Sequence, residues 1–350
     1  MAIFRGSRKA WFALAAALLA AFLAAPATAR EIVDMTGRRV VLPERVERVY
    51  ATAPPVALVV YAVDPKTLLG WNFPPYLPRP GDRARFIAPD ARDLPVLGNM
   101  MGHGQQTGLE ALLALKPDIV VGWANTFLEG APLEKRFAEA GVPLVLMKID
   151  TLADYPKAFA LMGEILSAPA RAGALAGYVS AALARLDAHV AALKPPRVKV
   201  YYAESPDGLA TDCDLSIHAE AIRRAGGENV YHCKQAELVG LEHVSLEEII
   251  SWAPDVIVTA EEAFAGRAAA DPRWRAVKAA GDGGIVRVPR LPFNWIDRPP
   301  GYMQALGAQF LAHRFYPDAF PLDVRDETKK FYGLFFNVDL DDADLDRLLN

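Results

Sequence analysis

Apolar and polar positions along this chain follow two rhythms. Short apolar or alternating runs have the period of strands, at 46–51, 119–121 and 144–147 in the first half and at 198–202, 256–259 and 285–288 in the second. Between them, at 109–115, 133–140, 218–225, 246–252 and 274–279, apolar residues recur every three or four positions, as in helices packed on one side. Strands alternating with helices predict parallel sheets covered on both faces, an α/β fold. One segment breaks the alternation. Residues 168–194, rich in Ala and Leu, predict a single long helix ended by Lys194-Pro195-Pro196. It separates a lobe at 30–167 from a lobe at 195–350.

One piece of this pattern is written twice. Leu109-Glu110-Ala111-Leu112-Leu113-Ala114-Leu115-Lys116-Pro117-Asp118-Ile119-Val120-Val121 aligns without gaps to Leu246-Glu247-Glu248-Ile249-Ile250-Ser251-Trp252-Ala253-Pro254-Asp255-Val256-Ile257-Val258. Each copy predicts a helix stopped by Pro, a Pro-Asp turn and a β-branched strand. Its presence in both halves predicts lobes of common design. Thr107 and Glu110 have the spacing of a capping box, as do Ser245 and Glu248, so Glu110 has a plain helix-capping role open to it while Glu247 does not.

Charge and cysteine content narrow the setting. Arg5, Arg8 and Lys9 precede an apolar run from Trp11 to Ala25 that is short for a bilayer span, followed by Pro26 and Ala27-Thr28-Ala29. This predicts a cleaved signal peptide at 1–29. No cysteine stands beside the cleavage point to accept a lipid, so a free periplasmic protein is expected. Removing the three basic residues takes the formal charge from -4 to 38 - 3 - 42 = -7. Such a surface argues against nucleic acid as a partner. A monomer is expected. In an oxidising compartment Cys213 and Cys233 suit a disulfide, worth about 3 kcal/mol. Free thiols, or a metal site with His218 and His232, stay open at this point.

Gly108-Leu109-Glu110 with Leu115-Lys116-Pro117-Asp118-Ile119-Val120, and Ser245-Leu246-Glu247 with Ala253-Pro254-Asp255-Val256-Ile257, resemble the periplasmic binding proteins for iron-siderophore complexes and cobalamin. The opening Ile32-Val33-Asp34-Met35-Thr36-Gly37-Arg38 is similar to the start of their mature chains. The resemblance runs from about residue 31 to the end. It implies two Rossmann-like lobes with parallel sheets joined by a single long α-helix, and a metal chelate, ferric siderophore first, held between them for an ABC permease dimer. It implies no catalysis and no cofactor. Cobalamin, haem and nickel or cobalt complexes are the alternatives within that class. By the same resemblance Glu110 and Glu247 are the permease contacts, one per lobe.

Ligands of parallel sheets sit beyond the carboxyl ends of the strands. The loops there carry Trp71, Phe73, Trp123, Tyr202, Phe293 and Trp295, aromatics suited to a partly apolar chelate or to core packing. Arg298 could meet an anionic ligand or pair with Asp297 or another acid. Tyr202 and Glu204 offer hard oxygen donors to iron. His103, in the polar run 99–106, could complete a metal's coordination or approach a haem. Metalloprotease, nucleophile-elbow, P-loop and dinucleotide motifs are absent from the sequence. The rival from another class is a metal-dependent enzyme using His103 with His218, His232 and Cys233.

Overall fold

The computed structural model describes residues 29–100, 107–125, 131–234, 240–268 and 270–349. All but Ala29 of the predicted signal segment, and His103, lie outside them.

Eleven strands form four sheets among the described residues. A hairpin, β1 (Ala29–Val33) and β2 (Arg39–Pro43), opens the chain. The first lobe holds a parallel sheet of β3 (Val49–Ala51), β4 (Ile119–Ala124) and β5 (Leu144–Lys148), with β4 central. The second holds β6 (Lys199–Ala203), β7 (Ala210–Thr211), β8 (Glu228–Asn229), β9 (Glu242–His243), β10 (Val256–Thr259) and β11 (Ile285–Arg287). There β11, β10, β6 and β8 make a parallel sheet in that order, and β7 pairs with β9 antiparallel. The fully buried run Ile119–Ala124 shows why the central strands read as unbroken apolar stretches.

The duplicated element recurs in its Pro-Asp turn and strand entry. In each copy the residue before Pro takes a left-handed turn, with φ 50° at Lys116 and 49° at Ala253. In each copy the Asp then ties its strand to the neighbouring one. The Asp118 carboxylate accepts from the Arg48 amide at 2.8 Å, and Asp255 accepts from the Lys199 amide at 3.1 Å. The Asp118 and Asp255 amides donate back to the Arg48 and Lys199 carbonyls, each at 2.8 Å. The Pro-Asp pair therefore sets strand register as well as making a turn.

The predicted connector is α5 in a series that starts with α1 (Pro54–Val63), α2 (Leu109–Ala114), α3 (Ala131–Glu139) and α4 (Tyr155–Ile165). It spans Pro169–Ala192, about 36 Å at 1.5 Å per residue. Its buried residues, Ala172, Leu175, Val179, Ala182, Leu186 and His189, alternate at spacings of three and four along one stripe. Against it lies α4, so close at Gly163 that a Cβ there would meet the Ala172 Cβ at 2.3 Å.

After the second repeat helix α6 (Leu246–Trp252) come α7 (Gln304–Phe315), α8 (Val324–Phe336) and α9 (Asp342–Leu349). Of these, α7 packs on α5, while α8 and α9 turn back onto the first half. Tyr61 meets Phe336 at 5.6 Å, Phe86 meets Tyr332 at 6.3 Å, and Phe159 meets Phe335 at 5.9 Å. Arg85 binds Asp344, and Arg347 binds Asp82. One hydrophobic core thus runs from Val49 through α5 to Leu348 across the expected division at 194/195. Smaller clusters fill the outer side of each sheet.

Cys213 and Cys233, separated by 20 residues, are joined in a disulfide. Both sulfurs are thereby taken from any metal. Replacing both by Ala is expected to lower stability by about 3 kcal/mol, the loop-closure value for a ring of this size, as read by urea unfolding.

Candidate ligand-binding site

The carboxyl ends of β6, β10 and β11 point toward one groove, and the chain at Phe73–Pro78 from the first half forms its opposite wall. Its volume is about 430 Å³, within the range of roughly 300–1,000 Å³ usual for small-molecule sites. Two contacts clamp the wall to the second lobe. The Tyr76 amide donates to the Pro292 carbonyl at 2.9 Å, and the Arg290 guanidinium lies over the Tyr76 ring at 4.0 Å. Phe73 meets Phe293 edge-on at 5.7 Å. The aromatic lining of Phe73, Tyr76, Tyr202 and Phe293 is thus held by packing and hydrogen bonds rather than left on loose loops.

The floor is charged. Arg298 donates from Nε to Glu204 Oε2 at 2.7 Å and from a terminal nitrogen to Asp212 Oδ2 at 2.6 Å, with Asp297 Oδ2 at 3.4 Å. All three carboxylates are buried. Behind them His218 Nδ1 meets Asp297 Oδ1 at 2.5 Å. Burial, the Asp297 charge and a hydrogen bond with Asp212 push the Glu204 carboxyl well above its usual range, so it retains a proton where an exposed carboxylate has lost one. Burial opposes the charges on Arg298 and His218, but the acids around them outweigh it and hold both above their ordinary values. Burial, with Glu204 and Asp297 adding to it, pushes the Tyr202 phenol far up, so it stands as a neutral hydroxyl.

The residues singled out from the sequence divide by place. Tyr202 and Arg298 line the groove, Tyr202 from within β6 and Arg298 from the loop after β11. Trp123 lies on β4 itself, paired with Met147, and not in the loop after it. Its indole donates to the Ile149 carbonyl at 3.0 Å, and it borders a separate crevice of about 10 Å³, room for one water. Trp71 and Trp295 sit in the core instead of on a ligand wall. Trp71 packs between Tyr61 and Phe293, and Trp295, wholly buried, donates to the Tyr332 hydroxyl at 2.9 Å. Nearness to a strand end does not say to which side a ring turns, and these two turn inward.

Glu110 and Glu247 are exposed in the first turns of α2 and α6. The expected capping role of Glu110 does not hold, because the N-cap is Gly108 with no side-chain cap and the Thr107 hydroxyl turns to the Leu97 carbonyl. The second capping box is present, with Ser245 and Glu248 exchanging hydrogen bonds beside Glu247.

The acid cage around Arg298 was not legible as a unit. Asp212 and Glu204 lie 86 and 94 residues before it, and no spacing rule links them. The one available signal was the Asp297-Arg298 dipeptide itself. Asp212, His218 and Asp297 offer ligand atoms within 4.8 Å of one another. The guanidinium already stands at both carboxylates, so the cation of this cluster is Arg298. His232 pairs with Asp214 at 2.8 Å, apart from His218 and its Asp297 partner. Among the described residues, His218, His232 and Cys233 therefore do not meet in one centre, and His103, the fourth residue of the enzyme alternative, lies outside them.

A family described as periplasmic binding protein matches residues 89–290, more than half of the chain. The chain belongs to the periplasmic binding protein family. A solved ABC transporter solute binding protein from Sulfurospirillum deleyianum is 36% identical to this binding protein, with a TM-score of 0.84 and coverage of 91% of this chain and 98% of that one. The molybdate-binding protein MolA of Haemophilus influenzae is 25% identical, covering 93% of this chain and 97% of its own. A vitamin B12-binding protein of Pectobacterium atrosepticum is 25% identical over 49% of this chain and 59% of its own length. All three are binding proteins by name, in keeping with two lobes that frame a groove. No helix among the described residues is long and apolar enough to cross a membrane.

Proposed function

We propose that this protein is the ligand-carrying component of an ABC importer and takes a metal chelate, ferric siderophore first, in the groove beneath Phe73–Pro78. The observation that carries the reading is the groove's lining. Four aromatic side chains and a clamped wall suit a partly apolar complex, which supplies its own metal ligands. The neutral Tyr202 phenol then serves as a hydrogen-bond donor to the chelate. Import depends on Glu110 and Glu247 meeting the permease, one carboxylate from each lobe. The relatives that carry molybdate or vitamin B12 support transport of a metal-containing solute in general.

Native mass spectrometry of the protein isolated from the periplasm is expected to show one bound complex, with visible absorption from its metal centre. A protein that carries only a bare ion, or that couples zinc content to an activity, would sink the chelate reading.

A further inference from the structure

Both guanidinium groups that line the groove already have carboxylates. Arg290 is spread over Tyr76 and bonded to Glu261 at 3.2 Å, and Arg298 is held by Glu204, Asp212 and Asp297. The Asp212 and Asp297 side chains are 1% and 0% exposed and that of Glu204 is 2%, while Arg298 keeps 32% of its own surface toward the groove. An anion arriving at Arg298 must therefore compete with acids that cannot swing out into water. Displacing one strands a buried carboxylate without its cation, a loss that exceeds the return from a partly exposed ion pair.

We propose that Glu204 and Asp212 act as a charge filter for the groove: by occupying Arg298 they deny it to free inorganic oxyanions, so only ligands whose charged centre is wrapped in organic donor groups are retained. The inference rests on the groove being the ligand site and names the class of ligand it accepts. Glu204 and Asp212 each accept a hydrogen bond from the guanidinium, so a change at Glu204 alone leaves Asp212 on it. Freeing Arg298 takes both substitutions.

Calorimetric titration of the full protein with sodium molybdate at pH 7.5 tests this. The wild-type protein is expected to show no saturable binding below about 1 mM, and the Glu204→Gln/Asp212→Asn variant is expected to bind at least about tenfold more tightly than wild type. Glu204→Gln alone is expected to resemble wild type. Micromolar molybdate binding by the wild-type protein overturns the filter, as does a folded double variant that binds no better. If circular dichroism shows the double variant unfolded, the wild-type titration decides by itself. The two readings fail separately. Molybdate binding by the wild type removes the filter but leaves the groove as the ligand site. Rejection of molybdate, with gain in the double variant and no chelate found in the native protein, keeps the filter and removes the chelate.

Discussion

Import should stop when Glu110 and Glu247 are both replaced by Ala, with ligand affinity in the purified protein unchanged. Both side chains are exposed and form no hydrogen bond or ion pair among the described residues, and both lie outside the groove. Neither holds its helix together, since Glu110 makes no cap on α2 and α6 is capped by Ser245 and Glu248. The fold thus loses little beyond a favourable charge near each helix start, roughly 0.3–1 kcal/mol. The effect at the membrane is of another order. A single exposed pair contributes about 0–1 kcal/mol, but two pairs engaged together fix orientation, and the second forms at the high local concentration set by the first. Each single substitution should therefore reduce uptake and the pair abolish it. Labelled-ligand uptake by cells, beside calorimetry on the purified variant, reads both quantities. Normal uptake by the double variant removes the docking assignment.

Arg298→Ala should be the most destabilising single change at the site, and increasingly so as pH rises through the range in which the folded Glu204 carboxyl loses its proton. It leaves three buried carboxyl groups around a missing cation, a break that costs about 3–5 kcal/mol in buried pairs. The lower end applies, because the guanidinium is partly exposed and Glu204 already carries a proton. The pH dependence follows from the same group. Its folded pKa is raised, so folding takes up a proton, and the associated stability is complete below the ordinary carboxylate range and lost as pH rises through the folded value. Arg298 is the neighbour that pulls that value down. Without it the value climbs further and the loss extends to higher pH. Thermal unfolding of both proteins across a pH series up to the alkaline limit of the fold checks this, and a gap that stays equal at every pH would remove the cage as its cause.

What could be read in advance was whatever repeats locally. The central strands, the 24-residue α5 and the twin helix-Pro-Asp-strand units follow from periodicity and punctuation, and the structure places them within a few residues of expectation. The finer role of Asp118 and Asp255 as ties between strands was latent in the same motif. Long-range assembly was not legible. Trp71 and Trp295 carry the same local signal as Phe73 and Phe293, yet the first pair faces the core and the second borders the groove. The cage at Arg298 depends on three chain segments meeting, and the return of α8 and α9 to the first half depends on which apolar surface is left uncovered there.

That return has a bearing on how the molecule is made. Tyr61, Phe86 and Phe159 each meet a ring of Tyr332, Phe335 or Phe336, which stand far later in the chain. The amino-terminal half can close its own smaller cluster around Tyr50, Leu112 and Phe137, but its share of the main core stays incomplete until nearly the last residues of the chain are present. The meeting of the two halves is thus the late step of folding.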